Sequence, residues 1–228
     1  MSFKVILWDI DGTLLNFEAA EKVSIQHCFD KVGFGICTEE MLKNYMKINR
    51  GYWQRLERGE ITKQEVLTGR FREFFTVYGL DASVAEDFNA EYQSALGDTI
   101  VFCDNAPEVM EVCGKKVPQY AVTNGTKVAQ DKKLKNSGLI DIFDGVFISD
   151  VLGYEKPAVE FFDEVFRVIG EYDRKEVLIV GDSLTSDIRG GNNAGIVTCW
   201  YNPKKLPNDA GVTVDYEITD LAQVLELL

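Results

Sequence analysis

Apolar residues gather in short unbroken runs along the chain: Val5 to Trp8, Tyr120 to Val122, Val146 to Ile148, Val177 to Val180 and Ile196 to Trp200. Runs of this kind, without polar alternation, predict strands covered on both faces, as in a parallel sheet. Between them the pattern turns helical over Pro107 to Lys115, Val128 to Asn136, Val159 to Gly170 and Ser186 to Ala194. Turn residues precede the first of these, and Gly138 and Gly195 stop the second and fourth. Strands alternating with helices predict a doubly wound, Rossmann-like α/β fold with right-handed crossovers. The stretch from Asn16 to Leu96 breaks the rhythm, with several helical patterns and no strand. Thr38 opens one helix, Thr62 with Glu65 three residues on forms a capping box, and Asp81 and Ser83 precede a third. A loop of that length is implausible. The expected organisation is therefore an α/β core over residues 1–15 and 97–228 with an all-helical cap subdomain inserted at 16–96.

Composition fits one domain of this size with a smaller companion. The 228 residues can bury roughly 70–75% of their unfolded surface, and 46% apolar with 27% charged residues is ordinary for a globular chain. A net charge of -13 repels nucleic acids and anionic membranes at long range. Any bound phosphate must be drawn by a local site. The 5 cysteines (Cys28, Cys37, Cys103, Cys113, Cys199) include no C-x-x-C pair, so buried free thiols are expected rather than disulfides or zinc. Asp9 and Asp11 interrupt the only early apolar run, and no stretch is long enough to span a membrane, so a cytoplasmic protein is expected.

The chemistry concentrates behind the predicted strands, where open α/β sheets bind their ligands. Asp9 and Asp11 in "WDIDGTLL" follow the first run, and Thr123, Asn124 and Gly125 the second. Lys156 in "GYEKP" lies in the loop after the third, and Asp182 and Asp187 in "GDSLTSD" follow the fourth. Acids converging on one crevice need a cation to offset their repulsion. Oxygen-only ligands favour Mg²⁺ over Zn²⁺. Helix N-capping explains at most one of the pair Asp182 and Asp187. The only histidine, His27, sits in a helical stretch and reads as a surface or packing residue. "GGNNAG" at 190–195 lacks the order of a dinucleotide-binding loop.

These four motifs, in this order and with an insertion after the first, resemble the haloacid dehalogenase (HAD) superfamily of phosphohydrolases over essentially the whole chain. The resemblance implies that Asp9 attacks phosphorus to give an aspartyl-phosphate, and that Asp11 protonates the leaving group and then activates water. It implies that Thr123 and the Asn124 backbone N–H bind phosphoryl oxygens, and that Lys156 neutralises charge and restrains Asp9. It also implies Mg²⁺ on Asp9, the Asp11 backbone carbonyl, Asp182 and Asp187. The dehalogenase branch generally lacks the second acid, so Asp11 favours phosphoryl chemistry. Phosphonate hydrolysis needs a cap lysine, and nothing singles out Lys22, Lys43, Lys47 or Lys63.

The insertion resembles the C1-type helical cap, whose closure excludes water and supplies leaving-group contacts. "KINRGYWQRLERGEITKQEVLTGRF" and "GDSLTSDIRGGNNAGIVTCWYNP" are similar to the bacterial pyrimidine 5′-nucleotidases of the YjjG type. The implied substrate is a small-molecule phosphate monoester, a pyrimidine nucleoside 5′-monophosphate, handled by a monomer or homodimer. Trp53, Tyr45 and Tyr52 are candidates to stack a base, and Arg50 or Arg70 to meet its carbonyls or the sugar, against the plainer expectation that they pack or solvate the cap. Two departures from the family pattern are Val159 where K-P-x-P would have its second proline, and Asp104-Asn105 where Pro-Gly is common. Alternatives are a sugar-phosphate phosphatase or phosphomutase on the same chassis, and a receiver-like phospho-acceptor switch, which would be about half as long and uncapped.

Overall fold

The computed structural model describes residues 3–228. Its core is a six-stranded sheet built from β1 (Val5–Trp8), β2 (Gln119–Thr123), β3 (Gly145–Ile148), β4 (Val177–Gly181), β5 (Val197–Tyr201) and β6 (Tyr216–Ile218). The strands are all parallel, in the order β3-β2-β1-β4-β5-β6. Strand order reverses at β1, which pairs Trp8 with Ala121 on one side and with Val180 on the other. The two-residue period of a strand divides β1 between two cores. Ile6 and Trp8 join Leu178, Val180, Val109, Met110 and Leu134 on one face, while Val5 and Leu7 join Ile179, Phe161, Phe162 and Val165 on the other. Each fully buried side chain of this kind contributes about 1.5–3 kcal/mol, which is why the acids behind the strands can be tolerated.

The helices of this core are α5 (Ala106–Gly114), α6 (Lys127–Ser137), α7 (Ser149–Leu152), α8 (Val159–Ile169) and α9 (Arg189–Ala194), numbered after the four of the insertion. Three departures from expectation have physical reasons. β2 starts one residue early because Gln119, fully buried, accepts from Trp8 Nε1 at 3.1 Å and donates to the Met110 carbonyl at 2.9 Å. The stretch expected as one helix from Ser186 begins instead as a π-helical turn, Leu184–Ile188, before α9. β6 was not expected: its three residues hold only one buried side chain, Ile218.

The chain divides into two compact units, one comprising residues up to Phe17 with Ile100–Leu228 and the other Glu18–Thr99. In the first unit the outgoing and returning segments are zipped together. Asn16 N donates to the Val101 carbonyl at 2.8 Å, Cys103 N to the Leu14 carbonyl at 2.9 Å, and Leu15 and Phe102 form an antiparallel bridge. Asp104 follows at φ 42°, a conformation Asp tolerates better than most residues. Its carboxylate accepts from Tyr201 Oη at 2.9 Å and Leu221 N at 3.0 Å, so this departure from the family's Pro-Gly is tied into the core.

The second unit is helical: α1 (Phe17–Val32), α2 (Glu39–Glu57), α3 (Lys63–Val77) and α4 (Ala85–Ala95). Thr38 caps α2, Thr62 and Glu65 form a capping box on α3, and Asp81 caps the short turn before α4. Its core is aromatic, with Tyr45 stacked on Phe71 at 5.2 Å and Phe29, Phe74, Phe75, Phe88 and Tyr92 buried around them. Within it Glu21 accepts from Asn49 Nδ2 at 2.9 Å and Tyr92 Oη at 3.2 Å, and Arg70 donates to Asn49 Oδ1 at 2.7 Å. Burial pushes Glu21 up to about 7, against the opposing pull of Arg70. Tyr45 and Arg70 thus pack within this unit, both fully buried. His27 is exposed and pairs with Glu91 at 2.8 Å. All five cysteines are free; Cys28, Cys113 and Cys199 are buried, whereas Cys37 and Cys103 are only partly so.

Candidate active site

The sheet aims its functional side chains from the carboxyl ends of neighbouring strands. Asp9 is the first residue past β1, its N–H still bonded to the Val180 carbonyl at 2.9 Å. Thr123 ends β2, Asp182 follows β4, and Asp187 lies in the π-helical turn beyond. Lys156 sits between α7 and α8 and reaches back under the sheet edge, fully buried. Its ammonium donates to Asp9 Oδ1 at 2.8 Å, Asp187 Oδ1 at 2.7 Å and the Val122 carbonyl at 2.7 Å. Those three acceptors use all three of its protons. Lys156 is therefore a cross-brace between the two acids.

The acids have further hydrogen-bond partners. Thr13 donates to Asp9 Oδ2 at 3.0 Å and accepts from Asp182 N at 3.1 Å, linking the loops after β1 and β4. Ser183 N donates to Asp187 Oδ2 at 3.0 Å. The cap of the π-helical turn is Ser183, which accepts from Ser186 N at 3.1 Å, so neither acid is there chiefly to cap a helix. Asn124 uses its side-chain amide to grip the Lys156 backbone, accepting from its N–H and donating to its carbonyl, both at 2.8 Å. Thr123 is buried and its hydroxyl accepts from Gly125 N at 3.0 Å. Two glycines make the acids' approach possible. A Cβ on Gly12, at φ +97°, would stand 2.6 Å from an Asp182 oxygen, and one on Gly181 would stand 2.3 Å from the Asp187 carboxyl carbon.

Carboxylate oxygens of Asp9, Asp182 and Asp187 lie within 4.8 Å of one another. Burial, then the charge of Asp187, pushes Asp9 up to about 7 despite the opposing Lys156. Asp182 presents one side to solvent, yet the protein crowded against it and the charges of Asp9 and Asp187 hold it well above the usual carboxylate range. Burial works against the Lys156 ammonium, but the attraction of Asp187 and Asp9 outweighs it and raises that group too. Three hard oxygen donors that disfavour each other's charge match what a hard divalent cation requires.

Asp11 departs from the expected convergence of four acids. Its side chain turns to α6, where Gln130 Nε2 donates to Oδ2 at 2.6 Å and Lys133 Nζ to Oδ1 at 2.5 Å. Neither residue was anticipated. Both fall in the helical stretch Val128 to Asn136, where nothing in the sequence sets them apart, and the folded chain buries Gln130 and Lys133 while Lys132 is not buried. Trp53 and Arg50 both lie on α2 in the helical unit, Trp53 half-buried and Arg50 exposed.

A doubly wound sheet carries a braced acid, two partner acids and a buried lysine at its carboxyl edge, where open α/β sheets bind their ligands. The family of haloacid dehalogenase-like hydrolases matches residues 3–195, and the chain belongs to it. Curated relatives include YfnB of Bacillus subtilis, described as a HAD-hydrolase, at 35% identity over 99% of this chain and 95% of its own. The pyrimidine 5′-nucleotidase PynA of Streptococcus pneumoniae is 34% identical over 100% of this chain and 96% of its own, and the pyrimidine 5′-nucleotidase YjjG of Escherichia coli is 28% identical over 100% and 99%. A crystal structure of YfnB bound to magnesium, described as revealing interdomain movement, superposes with a TM-score of 0.94 at 34% identity, covering 100% of this chain and 99% of its own. Among the described residues, no helix is long and apolar enough to cross a membrane.

Proposed function

We propose that this chain is a Mg²⁺-dependent phosphomonoesterase acting on nucleoside 5′-monophosphates, with a preference for pyrimidines. The observation that carries the chemistry is Asp9, buried, oriented by Lys156 and Thr13, and faced by Asp182 and Asp187. Full-length similarity to PynA and YjjG supports the substrate class. Phosphate monoesters hydrolyse extremely slowly unaided, and two steps through a carboxylate lower that barrier. Asp9 attacks phosphorus, and the ester oxygen departs with a proton from Asp11. Asp11 then removes a proton from the water that attacks the aspartyl-phosphate, releasing phosphate and restoring Asp9. Thr123 and the Asn124 N–H bind phosphoryl oxygens while Lys156 keeps Asp9 and Asp187 in register. Mg²⁺, for which Asp9, Asp182, Asp187 and the Asp11 backbone carbonyl are the ligands we assign, supplies polarisation of the phosphoryl group. The helical unit supplies leaving-group selectivity, with Trp53 and Arg50 as the side chains to test.

The decisive assay is phosphate release from UMP, dTMP, CMP, AMP, IMP, glucose 6-phosphate and 4-nitrophenyl phosphate, with Asp9→Asn and EDTA as controls. Release from pyrimidine monophosphates, abolished in both controls, is expected. Release confined to sugar phosphates would keep the chemistry and sink the substrate; release surviving Asp9→Asn would sink the chemistry.

A further inference from the structure

Asp11 meets α6 at both of its carboxylate oxygens, from residues three apart on one helix face. The donors are enclosed: Lys133 has a side-chain exposure of 3% against 22% for Asp11, and its ammonium also lies 5.1 Å from the centre of the Phe17 ring. Gln130 is fully buried, and its Oε1 is one of the few buried side-chain oxygens among the described residues with no partner. Turning that amide over would place its oxygen against the carboxylate, so the bond to Asp11 fixes its orientation. Room for the amide depends on Gly125 of the T-N-G turn, where a Cβ would stand 2.1 Å from Gln130 Nε2.

A carboxylate held by two buried donors cannot rotate about its last bond. Each oxygen nevertheless keeps a second lone pair, and the partial exposure of Asp11 leaves one side of the group open. The group proposed to meet both the leaving oxygen and the attacking water is thus aimed by α6, not by its own loop. We infer that Lys133 and Gln130 are positioning residues for the reaction, a two-point clamp that sets the direction in which Asp11 exchanges its proton. The inference rests on the acid/base role given to Asp11 under Proposed function.

The test is a double-mutant cycle with dTMP and with 4-nitrophenyl phosphate in the presence of Mg²⁺, on wild type, Lys133→Met, Lys133→Arg, Asp11→Asn and the Asp11→Asn/Lys133→Met pair. Supporting groups behind an active residue are worth about 10–100-fold. Lys133→Met should therefore lower kcat by about tenfold or more with KM little changed, and Lys133→Arg should recover most of the loss. In the Asp11→Asn background the same change should cost less than about twofold, because there is no longer an acid to aim. Gln130→Leu should repeat the pattern more weakly, and thermal melts would show that each variant folds. Equal losses from Lys133→Met in both backgrounds, or a loss in KM alone, would overturn the clamp while leaving the role of Asp11 intact. An Asp11→Asn enzyme as fast as wild type would overturn the role and the clamp together.

Discussion

The attack on phosphorus proposed for Asp9 requires its ionised carboxylate, yet the site around it favours the proton. Its folded value of about 7 lies above the ordinary 3.8. The stability this contributes is therefore fully present below about pH 4 and is lost as pH rises through 7. A cation competes with that proton. Added Mg²⁺ should raise the melting temperature more at pH 8 than at pH 6, and a shift independent of pH in differential scanning fluorimetry would count against Asp9 as a ligand. Lys156 answers the same conflict from the other side. Lys156→Met leaves two buried acids without their shared cation and should cost about 3–5 kcal/mol in urea unfolding at pH 8, with a smaller loss at pH 5, where Asp9 takes up a proton. Asp9, Asp182, Asp187 and Lys156 were legible as chemistry because acids behind apolar runs have no packing reason to be there. Thr13, Gln130 and Lys133 were not, since a threonine in a turn and a glutamine and lysine on a helix are unremarkable until the fold buries them.

At the scale of elements, close packing accounts for residues that motif reasoning set aside. Gly190 and Gly191 of "GGNNAG" serve contact between α9 and its neighbours, while Gly195 ends the helix at φ +74°. A Cβ on Gly191 would stand 2.6 Å from Thr198 and 2.8 Å from Ile179, and one on Gly190 would stand 2.7 Å from Phe162. Gly191→Ala should destabilise the protein by about 1–3 kcal/mol, read as a lower denaturant midpoint with an unchanged slope. The helical unit carries its own pH signature. Glu21 is raised to about 7 from 4.5, so its contribution is intact below 4.5 and fades as pH climbs through 7. Hydrogen exchange in α1 and α2 should quicken over that range beyond its intrinsic pH dependence, and Glu21→Gln should flatten the added trend. Strands β1 to β5 and the capped helices were legible because period and capping residues are local signals. β6 escaped because two of its three side chains face solvent, and the π-helical turn because the long-range contact of Asp187 with Lys156 that lies within it is not a local signal.

For the molecule as a whole, a charge of -13 sets a long-range field that opposes the approach of the anionic monophosphates proposed as substrates. Raising ionic strength from low to physiological at saturating Mg²⁺ should increase kcat/KM for dTMP and leave kcat nearly unchanged. A fall in kcat/KM would mean that the local field dominates the approach. The ribbon joining Leu14–Asn16 to Val101–Cys103 has a different kind of consequence. Because it brings the two ends of the insertion side by side within the core, the sheet is indifferent to how much chain hangs between them. Each doubling of that length adds only about 0.6 kcal/mol of closure entropy. The joint is in effect a socket: a module of another length could hang from it at little cost to the sheet.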